Sequence, residues 1–127
     1  MLSRKQLTIL GVMGVIFWIL FAVIIRSLPM VFNAGLWNGV LFIVTIPIGW
    51  FLVSFTQRIA DLKPDLVVTG VTLAFAVAFL IDGVVFTWFE GIYGETAVHV
   101  RTAAAYILYG AGVTLCLAIF RRQTGKL

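Results

Sequence analysis

The sequence predicts an all-α integral membrane protein, a four-helix bundle, and three observations lead to this prediction. Hydrophobic residues make up 62% of the 127 residues and charged residues only 11%, against about 25% charged in a soluble domain. Four long apolar runs are separated by short polar segments, and each run approaches the roughly 20 residues that a helix needs to span a bilayer. No run alternates apolar and polar residues as barrel strands do. We therefore expect a single transmembrane domain over residues 1–127.

The first half of the chain predicts two spans. Residues 6–26 form the first, uncharged until its last position, and since no small-residue cleavage site follows, we expect this helix to be retained. The next uncharged run, Ser27–Gln57, has 31 residues, which is too many for one straight span. Its polar start is a turn, and the second span is placed at 36–56. Pro47 predicts a kink there, with Thr45 or a neighbouring helix satisfying the carbonyl that the proline frees.

The second half predicts two further spans. The third, 66–89, follows the only mixed-charge hydrophilic loop, Gln57–Asp65, and the fourth occupies 98–120. The turn between them, Glu90–Thr96, is punctuated by glycine. We expect its Tyr93 to lie at the level of the lipid headgroups, where tyrosine is enriched.

Positive charges are divided unevenly between the two ends of the predicted bundle. Seven of the nine Lys and Arg residues fall on one side, and only Arg26 and Arg101 fall on the other. By the positive-inside rule both termini are cytoplasmic. The membrane topology alone accounts for the excess of basic residues on the cytoplasmic side. The alternative is that these residues bind anionic lipid headgroups at the cytoplasmic face. Nucleic acid is not an expected partner, because the charges cluster at span ends. The cytoplasmic set is Arg4, Lys5, Arg58, Lys63, Arg121, Arg122 and Lys126.

One acid, Asp82, lies well inside the third span, where a charge is costly and indicates a specific role. It continues a ridge of small residues spaced by four, Gly70, Ala74 and Ala78, which lets neighbouring helices approach closely. This ridge predicts that Asp82 faces protein. Sixteen residues beyond Leu66, the acid is about 24 Å from the cytoplasmic end of a core roughly 30 Å thick. We therefore place it in the outer third of the membrane.

Polar side chains from other spans are expected at a similar depth. Tyr106 and Tyr109 lie about 6–10 Å below Thr102 in the fourth span. Arg26 and Arg101 lie just above them on flexible stems. Asn38 is a further hydrogen-bonding candidate. The predicted polar network is Asp82, Tyr106, Tyr109, Arg101, Arg26, Glu90 and Asn38, with Glu90 at the interface.

Two roles for Asp82 stay open at this point. Hydrogen-bonded to a tyrosine, to Asn38 or to an arginine, it fixes helix register; alternatively, it is a protonatable or ion-binding group reached from the outer face. The tryptophans, Trp18 among them, are expected to serve packing and the interfacial belt.

No metal, cofactor or catalytic residue is expected. Glu95 and His99 stand four apart, but with one histidine and no cysteine nearby we expect an ion pair between them, not a metal site. The lone histidine also cannot supply bis-histidine haem ligation. The sequence has no nucleophile–base pair at usable spacing, no phosphate loop and no zinc motif. A lipid-modifying enzyme using Asp82, Glu90 and His99 is a third hypothesis without a motif behind it.

Part of the sequence resembles small bacterial four-helix membrane proteins of a domain-of-unknown-function class. The resemblance is carried by the stretch from Ile81-Asp82-Gly83 through Phe89 to Tyr93-Gly94 and by Tyr109-Gly110 in the last helix. The resemblance covers Asp82–Phe120. It implies a bacterial inner membrane and carries no activity to transfer.

Two functions are compatible with these patterns. The first is a non-enzymatic membrane protein that acts through helix contacts, as a homo-oligomer or as an accessory subunit of a larger complex, because small-residue ridges favour helix association. The second is a small proton- or ion-coupled transporter or channel in which Asp82 is the coupling acid.

Overall fold

The structure, a computed structural model, describes residues 1–33 and 35–124, and over these ranges the chain is helical and contains no strand. Four long helices are joined by short connections that include one further helix and two 3₁₀ turns, Pro64–Leu66 and Glu90–Ile92. All four long helices are long and apolar enough to cross a membrane. In chain order the helices are α1 (Arg4–Ser27), α2 (Pro29–Phe32), α3 (Leu36–Ile59), α4 (Val67–Trp88) and α5 (Ala97–Thr124).

Local sequence explains where the helices begin. Ser3 caps α1 through a capping box with Gln6, which satisfies two backbone N–H groups at the helix start. Gly35 precedes α3 with φ +119°, a backbone conformation that side-chain-bearing residues rarely adopt. Thr96 accepts a hydrogen bond from the amide of His99 and so caps α5. The four long helices lie within a few residues of the predicted spans.

Helix α3 continues through Pro47 from Leu36 to Ile59. The proline removes the hydrogen bond to the carbonyl of Ile43, four residues earlier. The hydroxyl of Thr45 does not replace that bond, because it lies 2.7 Å from the carbonyl oxygen of Leu41. The expectation that Thr45 satisfies the freed carbonyl is therefore wrong, and the kink at Pro47 stays a prediction.

The strongest helix packing joins the two hairpins of the chain. Helix α1 packs mainly on α4 and α3 mainly on α5, while α1 touches α3 little and α5 least. Glycine permits both close approaches. A Cβ on Gly14 would collide with the backbone carbonyl of Ala74, and one on Gly49 would stand 3.0 Å from the hydroxyl of Thr114. The predicted ridge on α4 is confirmed as an inward face, since Gly70, Ala74, Ala78 and Asp82 are all buried.

Polar contacts tie the helices together at both ends of the bundle. At the first end, here called the basic end, the Gln6 amide donates to the carbonyls of Ala60 and Asp61, and Arg121 donates to Gln57. The six described basic residues predicted to share a side all lie on segments that meet there; Lys126 lies outside the described residues. At the opposite end, here called the loop end, residues 89–96 connect α4 to α5.

The buried core differs from one end to the other. The basic-end cluster is aliphatic, whereas the loop-end cluster contains aromatic and polar side chains. A small third group, Met13, Phe17 and Leu52, fills the space between α1 and α3. The basic-end cluster is Leu10, Val53, Ala60, Leu62, Val67, Val71 and Ala118, and the loop-end cluster is Ala22, Ile25, Phe32, Val85, Tyr93, Ala103 and Tyr106.

Candidate functional site

A cavity of about 60 Å³ lies between the four long helices. Along α4 its lining runs from Phe75 to Asp82, which corresponds to about 10 Å of helix axis. Most lining side chains are apolar, and the polar ones are few. The lining residues are Phe17, Trp18, Phe21, Ala22, Thr45, Ile48, Gly49, Leu52, Phe75, Ala78, Phe79, Asp82, Tyr93, Tyr106, Ile107, Gly110, Ala111 and Thr114.

Asp82 is held by a short chain of hydrogen bonds. The indole N–H of Trp18 donates to the hydroxyl oxygen of Tyr93 at 2.9 Å, and the Tyr93 hydroxyl donates to Oδ1 of Asp82. An indole can only donate, whereas a phenol can donate and accept at once. The chain therefore runs in one direction, from α1 through the loop to α4, and ends on the carboxyl group.

The second carboxyl oxygen of Asp82, Oδ2, accepts no hydrogen bond from a described residue. Among the described residues, the only hydrogen bond to this side chain reaches Oδ1. Within residues 1–33 and 35–124, every side-chain nitrogen or oxygen that is fully buried has a hydrogen-bond partner. Because Oδ2 has no such partner, it is not fully buried. Asp82 is 9% exposed, and it lines the cavity. Its free oxygen is thus available to a ligand there.

Tyr93 does not lie on the surface of the bundle, in contrast to the headgroup position that the sequence suggested. It is 1% exposed, and its ring stacks on Phe86 with the ring centroids 4.1 Å apart. Burial raises the pKa of the Tyr93 phenol above its usual range, and the hydrogen bond to Asp82 raises this pKa further. The phenol therefore keeps its proton at neutral pH and remains a donor to the carboxyl group.

The loop that carries Tyr93 is fastened to the end of α1. Arg26 donates to the carbonyl of Gly91 at 2.6 Å and forms an ion pair with Glu95 at 3.1 Å. Nε2 of His99 donates to the carbonyl of Ile25 at 2.8 Å. Gly94 is required beneath this histidine, because a Cβ there would lie 2.5 Å from the imidazole ring. These contacts fix the loop in the conformation that turns Tyr93 inward.

A second polar pair faces the cavity from α3 and α5. The hydroxyls of Thr45 and Tyr106 are 3.0 Å apart, and Thr45 is also 2.7 Å from the carbonyl of Leu41. Because Thr45 has one hydroxyl proton, its donation to Leu41 requires Tyr106 to donate to Thr45. In the other arrangement, Thr45 donates to Tyr106 and frees the phenol proton. Tyr106 can therefore accept from a cavity ligand or donate to it.

Only part of the predicted polar network assembles. Asp82 and Tyr106 line the same cavity, although the hydroxyl of Tyr106 bonds Thr45. Tyr109 is 36% exposed and stacks on Phe42 at 4.3 Å, and Asn38 donates to the carbonyl of Val31. The tyrosine partner of Asp82 is Tyr93, which the sequence did not suggest.

The predicted charged members of the network lie elsewhere. Arg26 is committed to the loop, and Arg101 and Glu90 are exposed; within the described ranges, neither of the last two forms an ion pair. The expected ion pair between Glu95 and His99 is also wrong, because Glu95 pairs with Arg26 and His99 bonds a backbone carbonyl. Across the described residues, no group of three potential metal ligands occurs.

Trp18 and Tyr93 are the site residues that the sequence did not reveal. Trp18 lies near the middle of the predicted first span, and Tyr93 lies in the predicted turn after the third span, where tyrosine ordinarily contacts headgroups. They are 75 residues apart along the chain, and Tyr93 is 11 residues from Asp82. The one available signal was that Tyr93 stands between glycines in a tight turn, which allows the chain to fold back toward the bundle.

Comparison with protein-family models, curated proteins and solved structures finds no match to this chain. The resemblance of Asp82–Phe120 to small bacterial membrane proteins therefore stays a prediction. The chemistry of the cavity must be argued from its own residues: one carboxyl group, three hydroxyl-bearing side chains other than Tyr93, and a wall of aromatic and aliphatic groups.

Proposed function

We propose that this protein is a small integral membrane transporter or channel for protons or small monovalent cations, with Asp82 as the coupling acid. One observation carries the proposal: Asp82 lines a cavity between the helices, and one of its carboxyl oxygens accepts no hydrogen bond from the described residues. A carboxyl group that only holds helices together acts through hydrogen bonds to protein, and Oδ2 of Asp82 has none among the described residues.

The membrane setting rests on the four apolar helices and on the charge distribution. The six described basic residues of the predicted cytoplasmic set lie on segments that meet at the basic end, so the positive-inside rule orients that end toward the cytoplasm. Exposed members such as Arg4, Lys5 and Arg58 are then available to anionic headgroups. Arg121 is less available, because it is bonded to Gln57 and Ser54. The loop end and Asp82 are then in the outer half, in a bacterial inner membrane.

The charge of the cavity supports a cation over an anion. Asp82 is the only titratable acid or base among the described lining residues apart from the two phenols. An ionised carboxylate among apolar side chains is stabilised by a positive charge and strongly disfavours a second negative one. A proton or a monovalent cation at Oδ2 neutralises it completely. Tyr93 meanwhile holds Oδ1, which keeps the carboxyl group oriented during binding and release.

Flux measurements on the full-length protein in proteoliposomes test this proposal. With a trapped pH-sensitive dye and an imposed cation gradient, the wild-type protein should dissipate the gradient, and Asp82→Asn should reduce the rate to that of empty liposomes. Asp65→Asn is the matched control, because Asp65 is an exposed acid before α4 and should not affect flux. Equal rates for wild type and Asp82→Asn contradict the proposal, provided circular dichroism shows the variant folded. So does a wild-type rate no faster than that of empty liposomes.

A second candidate function, action through helix contacts with another copy of the chain, is favoured by Gly39. Gly39 lies in the first turn of α3, four residues after Gly35, the residue that precedes the helix, and small residues on a helix support close helix association. Gly39 is exposed, and a Cβ there would meet no described atom within 4 Å. Light scattering in detergent should show that Gly39→Leu reduces the oligomer mass and that Gly112→Leu, on the exposed face of α5, does not. A monomeric wild type contradicts this candidate.

A further inference from the structure

We infer that the cavity ligand is a small organic ammonium ion of about two non-hydrogen atoms, with methylammonium as the representative, bound between Oδ2 of Asp82 and the aromatic wall. This inference rests on the proposed function, because it names the cation class that the same cavity takes. Four properties of the cavity lead to it: its charge, its hydrogen-bonding groups, its aromatic lining and its volume.

The charge of the cavity requires a monovalent ligand. One carboxyl group lines it, and within the described lining no Lys, Arg or His is present to balance that group. A divalent ion would leave one uncompensated positive charge among apolar side chains, which is strongly unfavourable. An ammonium ion brings one charge and N–H donors. Oxygen-bearing side chains that line the cavity, Asp82, Tyr106 and Thr114 among them, provide the acceptors.

The hydroxyl groups of the cavity are arranged to accept. Thr114 donates its proton to the carbonyl of Gly110 at 2.7 Å, and Thr45 lies 2.7 Å from the carbonyl of Leu41. The oxygen lone pairs of Thr114 therefore remain for donors in the cavity. Tyr106 also accepts when Thr45 donates to Leu41 and Tyr106 donates to Thr45. A ligand that offers N–H groups is matched by this pattern, whereas a ligand that offers only acceptors is not.

The aromatic lining favours an organic cation over a bare metal ion. Phenylalanine rings come from α1 (Phe17 and Phe21) and from α4 (Phe75 and Phe79), and the indole of Trp18 completes the wall. Aromatic faces attract cations, and recognition of alkylated ammonium groups is the best-known use of this interaction. A bare metal ion replaces its hydration shell with oxygen ligands, six or more for Ca²⁺ or Mg²⁺. A lining this rich in carbon cannot provide such a shell.

The volume of the cavity limits the ligand to about two heavy atoms. A water molecule occupies about 30 Å³ in the liquid, and an apolar cavity of about 150 Å³ accommodates benzene, which has six heavy atoms. By this measure the 60 Å³ cavity holds the carbon and nitrogen of methylammonium. Tetramethylammonium, with five heavy atoms, is too large. A ligand of two heavy atoms can bind no more tightly than roughly the millimolar range.

Tryptophan fluorescence provides the binding test, because Trp18 is connected to Asp82 through Tyr93. In a full-length background with Trp37→Phe, Trp50→Phe and Trp88→Phe, Trp18 is the single reporter. Methylammonium chloride at constant ionic strength should change its emission saturably, with a midpoint of millimolar order. Asp82→Asn should weaken binding by about tenfold or more, since it removes the charge partner, and Asp65→Asn should not. Phe79→Leu, which keeps the acid and removes one aromatic face, should weaken binding by about threefold.

The same titration specifies the results that overturn the inference. An equal response to NaCl, KCl or tetramethylammonium chloride would show that ionic strength or a larger cation explains the signal. Unchanged affinity in both Asp82→Asn and Phe79→Leu would place the binding elsewhere. If Asp82→Asn does not fold, Phe79→Leu and calorimetry on the wild-type protein decide the question.

Binding and flux separate this inference from the proposed function. Methylammonium binding that depends on Asp82, without any flux in proteoliposomes, supports the ligand assignment and contradicts transport. Proton flux that depends on Asp82, without methylammonium binding, supports transport and overturns the ligand assignment.

Discussion

The two ends of the bundle are built from different side chains. At the basic end the buried cluster is aliphatic, and the polar bonds of Gln6 and Arg121 lie at its margin. At the loop end, Asp82, His99 and Tyr93 are buried among aromatic rings and bonded to one another or to backbone. The cavity extends from this second cluster into the middle of the bundle, where Gly49, Leu52 and Thr114 line it.

This difference indicates a division between stability and function. Aliphatic side chains pack densely in many sequences, and their loss is felt mainly as weaker packing. Buried polar groups are satisfied only by particular partners and specify a particular arrangement. We expect changes at the basic end to lower stability without altering ligand chemistry, and changes at the loop end to alter ligand chemistry at a smaller cost in stability. Five predictions test the division, and the substitutions run from the largest expected effect on stability to the smallest.

Leu10→Ala should produce the largest loss of stability, about 2–4 kcal/mol, because Leu10 is fully buried in the basic-end cluster and its removal leaves a cavity. Leu7→Ala is the matched control, since Leu7 lies on the exposed face of the same helix. Thermal unfolding in detergent, followed by circular dichroism, measures both variants. If the cation response of Leu10→Ala also disappears at temperatures where the variant is folded, the two ends are not independent.

Gly14→Ala should destabilise the protein by about 1–3 kcal/mol, because the new methyl group would collide with the backbone carbonyl of Ala74 and force α1 away from α4. Gly11→Ala, one turn earlier, meets no described atom within 4 Å and should be stabilising by up to about 1 kcal/mol through helix propensity. Opposite signs for the two substitutions are expected in the same unfolding assay. A stabilising Gly14→Ala would mean that α1 and α4 are farther apart than described.

Tyr93→Phe should cost about 1–2 kcal/mol, because it leaves the indole N–H of Trp18 and Oδ1 of Asp82 without their shared partner. Tyr109→Phe removes a hydroxyl that has no hydrogen bond within the described residues and should cost much less. The Trp18 emission of Tyr93→Phe should also shift, since its hydrogen bond is lost. Equal stability for the two variants would contradict the role of Tyr93 at this end.

Tyr93 also predicts a pH dependence of stability. Burial raises the pKa of its phenol above the usual value, so the folded protein retains the proton to higher pH than the unfolded chain does. This contribution to stability is therefore fully present below about pH 10, the ordinary tyrosine pKa, and decreases as the pH rises above it. Unfolding measured from pH 8 to pH 11 should show a decrease that is shallower in Tyr93→Phe than in the wild type.

Arg26→Gln should have the smallest effect on global stability, less than about 1 kcal/mol, because its ion pair with Glu95 is exposed and screened by salt. The local effect should be larger. Hydrogen exchange at residues 91–96 should accelerate in Arg26→Gln and remain unchanged in Arg101→Gln, whose side chain is also exposed. Unchanged exchange in both variants would show that the loop is held by His99 and Thr96 without help from Arg26.

The sequence by itself determined the four helices, their approximate limits and the inward face of α4. Each depends on properties that adjacent residues carry: apolar runs, charges at run ends, and the spacing of Gly70, Ala74, Ala78 and Asp82 along one helix face. The segments that hold the basic residues were also predicted to meet at one end, because short connections force consecutive helices to alternate in direction.

Only the tertiary structure decided which side chains accompany Asp82. Helical spacing predicted that Tyr106 lies at a depth similar to that of Asp82, and the two residues line the same cavity. Tyr93 belongs to a loop, where no helical periodicity predicts which way the side chain points. Its inward position depends on Arg26, His99 and Gly94, which act across distant parts of the chain. A hydrogen bond between residues 75 positions apart, such as that from Trp18 to Tyr93, forms because the packed helices bring two groups together. No local sequence pattern predicts a contact between residues so far apart along the chain.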